Sequence, residues 1–228
     1  MKSNIFFRVI IFLMMFFIVK IGYAQESLVA EAKKFADTKG RELLLIFQDD
    51  NLEKRYEQLD EMLKKHIDID YVSKFVVGKY WRVMTPDQRK EYRGIFERYS
   101  LAFYKTLPLE YAKNFIYEVK SATADNDNKF VNVMVNLIIT SIENPQEILL
   151  TFRLHKVDNE IKVVDVKVAE SSLLLSYRGK FYEQIAQNDG EIDWFLEDLK
   201  DLTISMEKNL EQNVSNQQNF LEIEEKTE

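Results

Sequence analysis

The sequence predicts an α+β fold: helices first, then a four-stranded antiparallel sheet covered on one face by helices, then helices again. Three observations carry this. Apolar residues recur at three- and four-residue spacing up to about Leu107 and again after Ser172, the period of a helix with one buried face. Between Phe115 and Val168 the period falls to two, the period of a strand. The alternating runs are joined by short turn clusters, so successive strands are antiparallel neighbours. Only 6 Gly and 3 Pro occur in 228 residues, too few for a turn-rich all-β fold.

The chain opens with Lys2 and Arg8, an apolar run from Val9 to Val19, and Gly22-Tyr23-Ala24. This is the layout of a secretory signal peptide over residues 1–24, with cleavage before Gln25. The run is about half the ~20 residues that a spanning helix needs, which disfavours the alternative of an uncleaved anchor. Cysteine is absent, so disulfides, thiolate metal sites, cysteine nucleophiles and an acylated N-terminal cysteine are excluded. The expected mature chain is soluble and periplasmic. Of 31 basic side chains, loss of Lys2, Arg8 and Lys20 leaves 28 against 38 acidic ones, a net charge of −10. Such a chain has no electrostatic reason to bind nucleic acid.

The expected domain spans 25–206. Glu26 to Phe47 is helical in pattern, with Leu28, Val29, Ala32, Phe35 and Ala36 in one stripe and Gly40 weakening the middle. Asn51 to His66 is a second, more peripheral helix. Two ring-rich helices follow. The first runs through Tyr71 to Arg82, with Val72, Phe75, Val76, Tyr80, Val83 and Met84 on its stripe. The second starts at Thr85-Pro86-Asp87-Gln88, a capping box with proline at the first helical position. It carries Tyr92, Ile95, Phe96, Tyr99, Phe103 and Leu107 and ends at Pro108. The strands are Phe115 to Ala124, Phe130 to Thr140, Glu147 to Val157 and Glu160 to Val168. Asp158-Asn159 reads as a tight hairpin turn, and Glu143-Asn144-Pro145 as a looser one. Ser172 caps a helix from Leu173 to Gln187, and Ile192 to Leu202 is amphipathic. From 207 to 228 the composition turns to Glu, Lys, Asn and Gln, read as a polar, solvated tail, either disordered or a fraying helix.

No nucleophile elbow, P-loop or Gly-x-Gly-x-x-Gly occurs. His66 and His155 have no metal-ligating neighbour in sequence. These absences point away from an enzyme. Asp165 interrupts Val163-Val164-Asp165-Val166, either as part of a polar outer face or as a partner for an arginine such as Arg178. What stands out is an apolar excess, which a filled core or an internal cavity would each explain; for an arbitrary domain close packing favours the filled core.

Two stretches resemble a known family. Val77-Gly78-Lys79-Tyr80-Trp81-Arg82 with Thr85-Pro86-Asp87-Gln88-Arg89 and Phe96 is one. Val164-Asp165-Val166-x-Val168, Ser172-Leu173, Tyr177-Arg178-x-x-Phe181 and Gly190 is the other. Together they resemble the MlaC / toluene-tolerance family of periplasmic phospholipid-binding proteins, over about Leu28 to Leu202. One departure is Ala169-Glu170-Ser171-Ser172, where the family usually has Glu-Gly-Val-Ser. The resemblance implies a curved sheet with acyl tails held between it and the helices, and phospholipid as cargo rather than a cofactor. It also implies partners: an outer-membrane lipoprotein complex and an inner-membrane ABC transporter complex with its substrate-binding ring. Under that reading the face periodicity selects Val76, Tyr80, Phe96, Tyr99, Phe103, Val135, Phe152, Val166, Val168 and Leu174 as tail contacts. No basic cluster is apparent along the sequence, so little headgroup selectivity is expected. The competing reading is a periplasmic interaction adaptor with a filled core and no lipid.

Overall fold

A computed structural model describes residues 28–106, 115–140 and 146–227. The segment 1–24 expected to be a signal peptide, the expected helix stop at Leu107-Pro108 and the expected turn Glu143-Asn144-Pro145 lie outside the described residues. Helix α1 covers 28–47. Its small residues Ala32 and Ala36 face the sheet and are buried. Gly40 is a point of close approach rather than a weakness. A Cβ there would meet the Tyr117 hydroxyl at 2.1 Å, and that hydroxyl donates to the Ala36 carbonyl at 2.7 Å.

Helix α2 (Leu52–His66) is capped by the Asn51 side chain, and α3 (Ile69–Val77) by that of Asp68. The predicted helix through Arg82 is broken at Gly78 into α3 and the single turn α4 (Tyr80–Val83). Gly78 has φ +48, and the Tyr182 hydroxyl sits 2.2 Å from where a Cβ would be. That hydroxyl accepts the Lys79 N–H at 2.9 Å, so the turn is built around one tyrosine. Helix α5 (Pro86–Lys105) starts as predicted, with both bonds of the Thr85–Gln88 capping box present.

The sheet is antiparallel, β1 (Phe115–Ala124), β2 (Phe130–Ile139), β3 (Gln146–Val157) and β4 (Glu160–Val168), in sequence order. It has five strands rather than the predicted four. Ala169, at φ +53, reverses the chain so that β5 (Ser171–Ser172) pairs with Lys167 and Val168. A strand of two residues is too short to leave a period in the sequence. Asp158 and Asn159 both adopt left-handed φ (49° and 65°), as a two-residue hairpin of matching twist requires.

Helix α6 (Leu173–Gln187) follows directly, then α7 (Ile192–Thr227). Of the two readings of the polar tail, 207–227 takes the helical one: α7 runs on unbroken to Thr227. No Gly or Pro interrupts it, and Glu, Gln, Leu and Lys are good helix formers. Its distal part is also docked. The Gln217 amide accepts the Leu52 N–H at 2.8 Å and donates to the Asp50 carbonyl at 2.8 Å, which satisfies backbone groups at the start of α2.

The interior is divided. One core is helical: Val76, Tyr92, Phe96, Tyr99, Phe181 and Phe195 bring together α3, α5, α6 and α7. The other joins α1 to the sheet through Ala32, Ala36, Tyr117, Val131, Val133, Val135 and Leu154. A third, smaller cluster of Ile46, Phe47 and Leu59 joins α1 to α2, and among the described residues the two larger clusters share no residue. Helix α1 covers most of the apolar sheet face, while the rings of α5 and α6 pack mostly on one another and meet the sheet along β4.

Candidate functional site

The helical bundle meets the sheet along the edge of β4. At one end the chain between α2 and α3 is fastened to it. Ile67 forms a parallel bridge with Val163, the Asp68 N–H donates to the Val163 carbonyl at 3.0 Å, and His155 Nε2 lies 2.8 Å from Asp68 Oδ2. The His155 ring is stacked on Phe130 at 5.5 Å. At the other end β5 pairs with β4, and the Asp165 carboxylate accepts the Ser172 hydroxyl at 2.7 Å and the Leu174 N–H at 3.0 Å. Asp165 thus holds the start of α6, not Arg178. Arg178 donates instead to the Tyr182 hydroxyl at 3.0 Å and lies over the Phe75 ring at 5.0 Å.

Between these two fastenings runs a seam. Its floor is Val163, Val164, Asp165 and Val166 of β4. Its other walls come from Ile69 and Val72 of α3, Phe96, Tyr99 and Phe103 of α5, and Leu174 and Tyr177 of α6. As it stands the cavity holds about 40 Å³, room for about one water. Sites for sizeable ligands occupy ~300–1,000 Å³, so the seam is closed in this state. A larger groove of about 460 Å³ lies between α1 and α2, but Lys39, Glu42, Asp49, Glu61 and Lys65 line it. It is open and charged, unsuited to an apolar ligand.

Half of the residues selected from sequence meet here. Phe96, Tyr99, Phe103, Val166 and Leu174 line the seam. Val76 is wholly buried within the helical core, and Tyr80 packs against that core with its ring on Tyr182 at 5.2 Å. Val135 and Phe152 lie in the sheet core under α1. Val168 is 41% exposed at the end of β4. Ile67, Ile69, Val72, Val164, Leu173 and Tyr177 were missed. Ile67 and Ile69 flank a helix cap, where periodicity is interrupted. Val164 sits at the register shift between β3 and β4, and at such a bulge consecutive residues cease to alternate between faces.

The seam also holds polar groups. The Ser100 hydroxyl donates to the Phe96 carbonyl at 2.8 Å. Burial, then the nearby Asp165 carboxylate, pushes the Tyr104 phenol up to about 12. The Tyr177 phenol is pushed far above its ordinary value, chiefly by burial. Its hydroxyl is enclosed and meets no partner at hydrogen-bond geometry, although Tyr99 and Tyr104 lie near it. The Tyr177 ring meets Tyr99 and Phe103 edge to face at 6.0 and 5.3 Å.

Outside the seam the fold gathers cations that are scattered in sequence. Lys74 and Arg89 lie over Trp81 at 5.7 and 5.5 Å, and Lys79 lies over Tyr80 at 4.9 Å. Arg82 and Arg178 adjoin them. None of these five has a carboxylate within ion-pair distance among the described residues. Among the described residues there is also no group of three potential metal ligands, and no helix long and apolar enough to cross a membrane.

Fold and site together define an α+β protein with an apolar seam between its two larger hydrophobic clusters, fastened at both ends. The sequence profile described as MlaC protein matches residues 41–201, and the chain belongs to that family. Its fold is also that of a solved structure, the phospholipid-binding protein from Ralstonia solanacearum in complex with a phospholipid. That likeness has a TM-score of 0.63 and 21% sequence identity, and covers 78% of this chain and 98% of the other. Among curated proteins none matches.

Proposed function

We propose that this protein is a soluble periplasmic phospholipid carrier that takes acyl tails into the seam along β4. The observation that carries this reading is the division of the interior into two cores with an apolar joint between them. A methylene left in water costs ~0.8 kcal/mol, so two tails of ordinary length would cost on the order of 20 kcal/mol unless enclosed. Parting α5 and α6 from β4 would expose Phe96, Tyr99, Phe103, Val166 and Leu174 to a tail. The two fastened ends would act as margins while the middle opens. Family membership and the phospholipid complex of the Ralstonia protein support the same cargo.

The carrier would exchange lipid with an inner-membrane ABC transporter complex with its substrate-binding ring and with an outer-membrane lipoprotein complex, maintaining outer-membrane lipid asymmetry. The unpaired cations around Lys74, Lys79, Arg82, Arg89 and Arg178 are the surface best suited to an acidic partner. The leader, with cleavage before Gln25, would deliver the chain to the periplasm. The closed seam favours one other reading, an adaptor that carries no lipid. Organic extraction of the protein purified from envelopes, followed by mass spectrometry, separates the two. Phospholipid at near one molecule per chain is expected; its absence would sink the carrier reading.

A further inference from the structure

The Tyr177 hydroxyl is an anomaly in a closed interior. Buried polar groups nearly always find a partner, and one that does not calls for an explanation. No other polar group of the seam meets it at hydrogen-bond geometry. Asp165 has one carboxylate oxygen engaged by Ser172 and the other by Leu174, and Ser100 is turned to the Phe96 carbonyl. Tyr99 and Tyr104 lie near it, and neither meets it at hydrogen-bond geometry. The hydroxyl therefore waits for an acceptor that enters the seam from outside.

We propose that the Tyr177 hydroxyl donates a hydrogen bond to an acyl ester carbonyl of the bound lipid, so that the seam selects ester-linked over ether-linked phospholipids. This rests on the carrier reading given above. A phospholipid has few acceptors that can follow its tails below the surface. The phosphate stays in water, because burying its charge unpaired is costly. The ester carbonyls sit where each tail begins and are neutral acceptors. Burial keeps the Tyr177 phenol protonated, hence a donor, across the ordinary pH range. Its ring is held from two sides by Tyr99 and Phe103, so little freedom is lost when the bond forms. An ether lipid of equal chain length fills the seam as well but lacks the carbonyl, and offers the hydroxyl only a weaker ether oxygen.

The test is a competition. Delipidated protein is offered an equimolar mixture of a diester phosphatidylethanolamine and its diether analogue of the same chain length, and the bound ratio is read by mass spectrometry. A preference for the diester of roughly three- to tenfold is expected, as one hydrogen bond in a dry site supplies. Tyr177→Phe should bring the diester-to-diether ratio near one. As an independent reading, the infrared carbonyl band of a 13C-labelled ester lipid should shift to lower frequency in the wild-type complex and lie higher in Tyr177→Phe. Equal uptake of both lipids by wild type overturns the proposal while leaving the carrier reading standing; so does a carbonyl band unchanged by the substitution, the result expected if a trapped water satisfies the hydroxyl. Failure to bind either lipid removes both.

Discussion

At the residue scale, Gly78 shows how one position can fix a junction. Alanine there would have to adopt φ +48 and would drive its Cβ into the Tyr182 hydroxyl at 2.2 Å and the Arg178 guanidinium at 2.9 Å. Strain of that kind costs ~1–3 kcal/mol before any clash. Gly78→Ala should therefore destabilise the protein by about 3 kcal/mol or more in denaturant unfolding. Adding Tyr182→Phe should restore part of the loss by removing the obstructing oxygen. If the single variant unfolds like wild type, the junction is not built as described. Residues of this sort mark the limit of what the sequence discloses. Thr85 and Gln88 announce their box by spacing alone. Tyr182, 104 positions beyond Gly78, gives no local sign that it closes the turn, and for the same reason Tyr117 cannot be seen from Gly40. Candidate tail contacts on α5 were legible because a regular helix keeps its face; of those on β4 only Val166 was, because a bulge discards alternation at Val164.

At the element scale, two connections invite direct trial. The reversal between β4 and β5 places Ala169, not Glu170, in the left-handed region. An L-residue there costs ~1–2 kcal/mol, partly offset by the greater unfolded-state freedom of glycine. Ala169→Gly should thus stabilise by about 0.5–1 kcal/mol, measured as a higher denaturant midpoint with unchanged slope. The familiar glycine of the resembling motif is one position away from where this chain's backbone uses the freedom. The second connection is the far part of α7. Ending the chain after Glu211 removes Gln217 and with it the clamp on Asp50 and Leu52. Amide exchange in the first turn of α2 should speed up, while α3 to α6 stay protected. Uniform protection in the shortened protein would show that the extension merely lies on the surface. Composition hid this element: its polarity reads as disorder, and only the absence of breakers told of a helix.

At the scale of the whole molecule, pH acts through groups placed by the fold. The His66 imidazole is held below its ordinary value, first by burial and then by the cations of Lys39, Lys65 and Lys162. The unfolded chain therefore takes up a proton near pH 6.5, where the folded chain does not. Stability is fully present above that value and declines as pH falls toward the depressed folded value. His66→Gln should flatten the acid limb of a stability–pH curve; an unchanged limb would assign it to other groups. The tyrosines act at the opposite end. Tyr92, Tyr104, Tyr117 and Tyr177 all resist ionisation because of burial, so stability is lost as pH rises past 10 and unfolded phenols release their protons.

The division of the interior bears on how the molecule comes apart. Where two hydrophobic clusters share no member, heat can melt one while the other persists, and all-or-none unfolding is not assured. A guest lodged along the joint touches both clusters and makes the melting of each depend on the other, besides raising the transition by mass action. Calorimetry of the delipidated protein should show a broad or divided transition, with a van't Hoff enthalpy below the calorimetric one. The loaded protein should show a single sharp peak at higher temperature. A sharp single transition in both would mean that the β4 edge already couples the two halves. In the expected case cooperativity belongs to the complex, and the polypeptide becomes one thermodynamic body only while it is carrying something.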